Sequence, residues 1–171
     1  MLEATRAAHV IRPYSAGGTA EIVAAPKVYG FDTGFVCYHR GWSELRREDL
    51  GLLFEHYVLN ELHAQLQSRD VRYWRSKHGS EVDFVLAGRS GAPTAIECKW
   101  SATGFEPASL RAFRGRYPRG RNFVVAADVD GAFERRYAGL RVRFVSLAGL
   151  IRALAARRGT GSTDSSTGEG G

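Results

Sequence analysis

The hydrophobic pattern along the chain predicts short strands alternating with helices. The longest regular stretch runs from Glu48 to Gln67, EDLGLLFEHYVLNELHAQLQ, where strong helix formers dominate and proline is absent. At a turn of about 100° per residue, its apolar side chains cover most of the circumference. We therefore expect a helix that is largely buried.

Three short runs of strand-forming residues follow this helix, namely VRYWRS, EVDFVLA and TAIECKW. The turn-rich segments KHGS and GRSGAP separate them. EPASLRAFRGRYP then predicts a helix from near Pro107 to Pro118, because proline suits a first helical turn and does not continue a helix. The order of a helix, three strands, a helix and a strand predicts a mixed α/β core.

The remaining segments complete this picture. HVIRPY predicts a strand closed by a turn at Gly17–Gly18, and EIVAAPKVYGFDTG predicts extended chain ending at Asp32-Thr33-Gly34, where a side-chain-capped turn is favoured. FVCYHRGW is either a short helix or irregular. RNFVVAAD and LRVRFVS predict strands, and LAGLIRALAARR predicts a terminal helix. Residues 158–171 lack apolar side chains to bury, so we expect a disordered tail.

Three charged residues interrupt the apolar strands: Asp83, Glu97 and Lys99. Since side chains alternate along a strand, Glu97 and Lys99 lie on the same face of their strand. Asp83 lies on the face of its strand that does not carry the apolar residues. The residues expected on the apolar faces are Ile96, Cys98 and Trp100 in one strand and Val82, Phe84 and Leu86 in the other. If the two strands are neighbours, the three charged side chains converge.

Converging carboxylates repel each other, and a divalent cation relieves that repulsion. Oxygen ligands favour Mg²⁺ or Mn²⁺, which often bind through one or two carboxylates together with a substrate phosphate. A neighbouring lysine can position the attacking water or stabilise charge on a phosphoryl oxygen. The pattern therefore favours phosphodiester hydrolysis.

Composition changes this picture only slightly. The chain is 44% hydrophobic and 25% charged, with a net charge of +6, which is compatible with a polyanionic partner such as nucleic acid. Arginine supplies nearly all of the positive charge, so the lysines at positions 27, 77 and 99 stand out. Cys37 and Cys98 form no CxxC pair, and no apolar run is long enough to span a membrane, so we expect a cytoplasmic protein with reduced thiols.

Several segments resemble a known family. VDF followed by IECK resembles the D…(D/E)-x-K signature of the PD-(D/E)XK nuclease-like superfamily. KVYGFDTG, LGLLFEHYVLNEL, YWRSKHGSEVDFVL and IECKWS resemble, in this order, the recurring blocks of the domain of unknown function 4143, which follows the ATPase module in many prokaryotic AAA proteins. The resemblance covers almost all of the chain up to Arg157.

This resemblance implies a restriction-endonuclease-like α/β core, a mixed sheet flanked by helices. It implies Asp83 and Glu97 as ligands of Mg²⁺ or Mn²⁺, Lys99 as the catalytic lysine and Glu55 as an accessory ligand or orienting carboxylate. Glu61 is an alternative to Glu55 on helix geometry. Candidate phosphate contacts are Arg75, Lys77 and His78, although a hairpin turn explains the segment KHGS equally well.

The resemblance also implies an organisation. Residues 1–40 resemble the linker after a winged-helix segment, residues 41–157 form the nuclease-like domain and residues 158–171 the tail. The chain has no G-x-x-x-x-G-K-(S/T) motif, so we expect no ATP hydrolysis from it. It is then a stand-alone or truncated domain whose partners are nucleic acid, DNA rather than RNA, and a separate AAA ATPase subunit.

Two alternatives to a nuclease remain open. The three charged residues could form a structural salt-bridge cluster at a sheet edge, and Glu55 could simply pair with an arginine. A nuclease fold that has lost catalysis could bind nucleic acid or a partner protein without turnover. These alternatives differ from the enzyme in their dependence on a divalent metal.

Overall fold

A mixed sheet forms the centre of the molecule. The computed structural model describes residues 8–15, 25–66, 70–88 and 91–156 of the 171-residue chain. Within them, eight strands form one sheet in the order β2-β1-β3-β4-β5-β6-β8-β7. The strands are β1 Ala8–Pro13, β2 Lys27–Gly30, β3 Val71–Arg75, β4 Glu81–Leu86, β5 Thr94–Lys99, β6 Asn122–Ala126, β7 Phe133–Tyr137 and β8 Leu140–Val145.

Helices cover both faces of this sheet. They are α1 Thr33–His39, α2 Asp49–Leu66, α3 Ala108–Arg116 and α4 Leu147–Ala155, with a 3₁₀ turn at Ala102–Gly104. The apolar residues of α2 and α4 pack in one core cluster with Phe84, Ile96 and Cys98. Those of α3 pack in a second cluster on the other face, around Val85 and Ala95. This arrangement confirms a mixed α/β fold with helices on both faces of the sheet.

The strands on either side of β5 pair in opposite senses. β5 is antiparallel to β4 and parallel to β6, and β6 is parallel to β8. Parallel neighbours require crossover connections, which α3 and the β7 segment provide. β1 and β2, which lie in the range predicted as an N-terminal linker, belong to the same sheet, because β1 runs parallel to β3.

Most predicted elements are confirmed, with shifts at their ends. The long helix runs over Asp49–Leu66, and α3 has Pro107 at its N-cap. The extended chain predicted through Gly34 ends earlier, because Asp32 accepts the Phe35 N–H at 2.9 Å and caps α1. The predicted turn at Gly17–Gly18 and the tail of residues 158–171 lie outside the described residues. No helix in the described ranges has the length and apolar character needed to cross a membrane.

The predicted faces of β4 need one correction. Trp74 pairs with Val82 and Arg72 pairs with Val85, so β4 spans three residues where β3 spans two. This bulge carries one extra residue in β4 and reverses the alternation. Val82 therefore packs with Val85 in the second cluster, and not with Phe84 as the alternation predicted.

Candidate functional site

The candidate site lies where the pairing of β4 with β5 ends. The last aligned pair is Phe84 with Ile96, and the same register would place Asp83 opposite Glu97. The side chain of Asp83 occupies this position, because its Oδ2 accepts the backbone N–H of Cys98 at 2.7 Å. The bulge thus directs the carboxylate of Asp83 towards β5. There it lies near Glu97, and not on the opposite face of the sheet.

Glu97 is the most deeply buried acidic residue of this group. β5 lies between β4 and β6, and Glu97 is only 4% exposed. Its Oε2 accepts a hydrogen bond from Lys99 Nζ at 3.1 Å. Its Oε1 is buried and has no hydrogen-bond partner among the described residues. Since an unpaired buried carboxylate oxygen is costly, this atom is suited to binding a cation or a hydrogen-bond donor.

Electrostatics within the site favour protonation of the carboxyl groups. Burial, followed by the charges of Glu97 and Glu55, raises the pKa of Asp83 to about 8, against the opposing effects of Lys99 and the Cys98 N–H. Burial also raises the pKa of Glu97, although Lys99 counteracts it. Both carboxyl groups therefore bind a proton more tightly than exposed carboxyl groups do.

Lys99 remains a cation in this setting. Burial alone would lower the pKa of Lys99, but the charges of Glu97 and Asp83 outweigh it and the pKa is raised. The ammonium group has partial access to solvent, because the side chain is 30% exposed. Lys99 therefore presents a charged donor both to the carboxylates and to a ligand arriving from solvent.

Glu55 reaches the same neighbourhood from α2. Its Oε1 accepts a hydrogen bond from the Tyr29 hydroxyl at 2.5 Å and lies 3.6 Å from Lys27 Nζ. Its charge is close enough to contribute to the raised pKa values of Asp83 and Glu97. The cation beside it is thus a lysine, not the arginine considered as its structural partner. Glu61, the alternative on the same helix, instead lies 3.4 Å from the amide of Gln65.

Lys27, Tyr29 and Glu81 join the site, although no sequence motif predicts a role for them there. Lys27 forms ion pairs with Glu81 and Glu55, and the charges of both residues outweigh burial and raise the pKa of Lys27. Burial and then Glu55 raise the pKa of Tyr29, so its hydroxyl remains a donor. The scarcity of lysine was the available signal, because two of the three lysines lie at this site.

The predicted phosphate contacts lie on the turn between β3 and β4. Arg75 Nε lies 2.8 Å from Glu81 Oε2, which connects this arginine to Lys27 through one carboxylate. Lys77 and His78 are exposed at the tip. Ser76 closes the turn by accepting the His78 N–H at 3.2 Å. The structure thus brings Arg75 next to the site, while a nucleic-acid role for all three residues stays a prediction.

The donor set of the site fits a hard divalent cation held by two carboxylates. Across the described residues, no three histidine, cysteine, aspartate or glutamate side chains gather closely enough to form a metal-binding group. Mg²⁺ does not require three, since one or two carboxylates plus waters and a phosphate often complete its octahedron. Asp83 and Glu97 would supply these two oxygens, and Glu97 Oε1 is the unpaired one.

Comparisons with known proteins identify relatives but no activity. Two curated relatives, uncharacterized proteins of Mycobacterium tuberculosis and Mycobacterium bovis, are each 32% identical over 91 residues. The match covers 51% of this chain but only 20% of each relative, so the chain spans about a fifth of their length. The family described as "Domain of unknown function (DUF4143)" matches residues 50–139, a range that contains Glu55, Asp83, Glu97 and Lys99. Because this match covers more than half of the 171 residues, the chain belongs to the DUF4143 family.

Proposed function

We propose that this domain is a metal-dependent nuclease of the PD-(D/E)XK type that hydrolyses phosphodiester bonds in DNA. One observation carries the proposal: Asp83, Glu97 and Lys99 meet where the β4–β5 pairing ends, and one carboxylate oxygen there is buried without a partner. Groups with strongly perturbed pKa values that converge in this way are typical of catalytic sites.

Each residue has a role that its contacts support. Asp83 and Glu97 would hold Mg²⁺ or Mn²⁺, and the bound ion would lower the pKa of a water and polarise the phosphate. The hydrogen bond between the Asp83 carboxylate and the Cys98 N–H fixes the orientation of that carboxylate. Glu55 is held by Tyr29 at 2.5 Å, which suits an orienting carboxylate near the other two.

Lys99 would act on the phosphate itself. Its ammonium group stays charged, is partly exposed and lies 3.1 Å from Glu97 Oε2. A phosphodiester that approaches from solvent gains negative charge on its non-bridging oxygens as the water oxygen bonds to phosphorus and the bond to the leaving oxygen breaks. Lys99 would donate to one of these oxygens and stabilise the charge where it develops.

A second candidate function has support of its own. Asp83 Oδ2 and Glu97 Oε2 already accept hydrogen bonds from within the protein, and the described residues contain no three-ligand metal group. A nuclease fold that binds nucleic acid or a partner protein without catalysis does not need these oxygens for a metal, so they can be hydrogen-bonded within the protein. Such a module would bind DNA in a salt-dependent but metal-independent manner.

The test combines cleavage with metal binding. The full chain is incubated with plasmid and single-stranded DNA in Mg²⁺ or Mn²⁺, beside Asp83→Asn, Glu97→Gln and Lys99→Met, and Mn²⁺ is titrated into each by calorimetry. Asp83→Asn and Glu97→Gln should lose both Mn²⁺ binding and cleavage, while Glu61→Gln, whose carboxylate contacts Gln65 and not the site, serves as the control. Cleavage unchanged in all three site variants would assign the activity to a contaminant, and DNA binding without Mn²⁺ binding would favour the binding module.

A further inference from the structure

A second, strongly basic cavity lies at the other end of the parallel strands. Its volume is about 640 Å³, and it is lined by α3, the loop after α3 and the hairpin of β7 and β8. Its β6 residue Asn122 aligns with Ala95, whereas Ala126 aligns with Lys99. Four residues along a strand span roughly 13 Å. The cavity is therefore separate from the acidic site.

Arginine dominates the lining of this cavity. One acidic residue, Glu134, faces the arginines 111, 114, 121, 141 and 143. Arg141 Nε lies 3.9 Å from Glu134 Oε2, and both side chains are more than half exposed. Such an exposed pair contributes little and does not neutralise the cavity. The lining therefore carries an excess of positive charge.

Two of these arginines, Arg114 and Arg121, donate hydrogen bonds to other parts of the protein and so stabilise the wall of the cavity. Arg114 donates to the carbonyl oxygens of Tyr117, Pro93 and Arg121 and to the side chain of Asn122. Arg121 donates from Nη1 to the Ala153 carbonyl at 3.0 Å. These contacts fix the loop that forms the rim, so both guanidinium groups act as parts of the scaffold.

The other three arginines are available to a ligand. Arg111, Arg141 and Arg143 are exposed. Within the described part of the chain, the side chains of Arg111 and Arg143 make no hydrogen bond or ion pair, and Arg141 has only the long contact with Glu134. Cations that share one cavity repel each other unless an anion lies between them. Guanidinium groups also match phosphate geometry through paired N–H donors.

We propose that this cavity binds a ligand with several linked phosphates, held by Arg111, Arg141 and Arg143. Its volume falls within the range of about 300–1,000 Å³ that small-molecule sites occupy. The phosphates come either from a free nucleotide or from the backbone of a nucleic-acid strand, because both present the same anionic groups. The site does not depend on the nuclease proposal, since it shares no residue with the acidic site.

The experiment uses sodium tripolyphosphate as the probe, with the full chain in EDTA. Calorimetry compares the wild type with the variant Arg111→Gln/Arg141→Gln/Arg143→Gln and with the charge-matched control Arg12→Gln/Arg40→Gln/Arg47→Gln, whose residues are exposed elsewhere. We expect the first variant to weaken binding at least about tenfold and the control to change it less than about twofold. Equal losses in both variants, or no binding of tripolyphosphate to the wild type, would overturn the proposal.

A second variant and a competition complete the design. Glu134→Gln removes the acidic group of the lining and should tighten tripolyphosphate binding about twofold or more, and unchanged or weaker binding contradicts the proposal. If the triple variant fails to fold by thermal melting, Arg111→Gln and Arg143→Gln are measured singly against Arg47→Gln. Displacement of a fluorescent single-stranded oligonucleotide by tripolyphosphate assigns the phosphates to a strand, and binding without displacement assigns them to a free nucleotide.

Discussion

Lys99 Nζ lies 3.1 Å from Glu97 Oε2, two residues earlier on the same strand. Side chains at this spacing share one face of β5, so the contact is built into the strand and needs no loop to form it. The carboxylate keeps a second, buried oxygen without a partner. The lysine therefore neutralises only part of Glu97 and leaves this carboxylate able to bind a cation.

Replacing Lys99 should separate catalysis from metal binding. In Lys99→Met the donor to the phosphate is lost while both carboxylates remain, so we expect the rate of DNA cleavage to fall about 100-fold or more. Mn²⁺ binding, measured by calorimetry, should persist, because removal of a competing cation does not weaken the ligands. Arg47→Met, an exposed cation in the turn before α2, is the matched control. Cleavage within about threefold of wild type would exclude the proposed role of Lys99.

The acidic site should make stability depend on pH. The pKa of Asp83 is about 8 in the folded state against an ordinary value of 3.8, so the folded state binds the proton more tightly. Its contribution to stability is complete below the ordinary value and is lost as the pH rises through the folded value. Asp83→Asn should remove this loss and gain about 1.4 kcal/mol relative to wild type for each pH unit between pH 5 and pH 8. Urea unfolding at the two pH values measures this difference, and equal slopes in both proteins would contradict it.

Helices and strands whose sequence pattern lies within a few consecutive residues could be predicted from the sequence alone. The helix over Asp49–Leu66 and the strand around Glu97 follow from propensity and alternation within a few residues. β7 was missed, because its central residues Glu134, Arg135 and Arg136 are exposed and charged on an edge strand. Such a strand forms through its pairing with β8, which no local pattern reveals.

The same distinction applies to the site. Asp83, Glu97 and Lys99 were identified from two short strands, but the bulge that orients Asp83 arises from the pairing of β4 with β3. The contact between Tyr29 and Glu55 joins positions 26 residues apart. Contacts of this range depend on tertiary packing, so neither periodicity nor spacing predicts them.

The Tyr29–Glu55 hydrogen bond should contribute measurably to stability. It is 2.5 Å long, and Tyr29 is 4% exposed, so among the described residues Tyr29→Phe leaves Lys27 as the partner of Glu55. We expect a loss of about 1–3 kcal/mol in the free energy of unfolding, because a charged acceptor loses a buried donor. Tyr57→Phe, on an α2 side chain that is 49% exposed, should change it by less than about 0.5 kcal/mol.

A double-mutant cycle isolates this contact from other effects. The variants are Tyr29→Phe, Glu55→Gln and the two combined, each measured by urea unfolding. If the hydrogen bond connects the two residues directly, the combined loss differs from the sum of the single losses by about 0.5 kcal/mol or more. Additive losses would mean that the hydroxyl and the carboxylate contribute independently.

The loop after α3 depends on Arg114 and on the absence of a side chain at position 120. Gly120 has φ of +123°, and a Cβ there would lie 2.0 Å from the Pro93 carbonyl oxygen, which also accepts from Arg114 Nη2 at 3.0 Å. Arg114→Met should cost about 2–4 kcal/mol in the free energy of unfolding, since several carbonyl groups lose their donor together. Gly120→Ala should destabilise the same loop through strain and steric overlap. Arg111→Met, one turn earlier on α3 and exposed, should cost less than about 0.5 kcal/mol. Urea unfolding compares the three, and similar losses for Arg114→Met and Arg111→Met would show that the carbonyl contacts do not hold the loop.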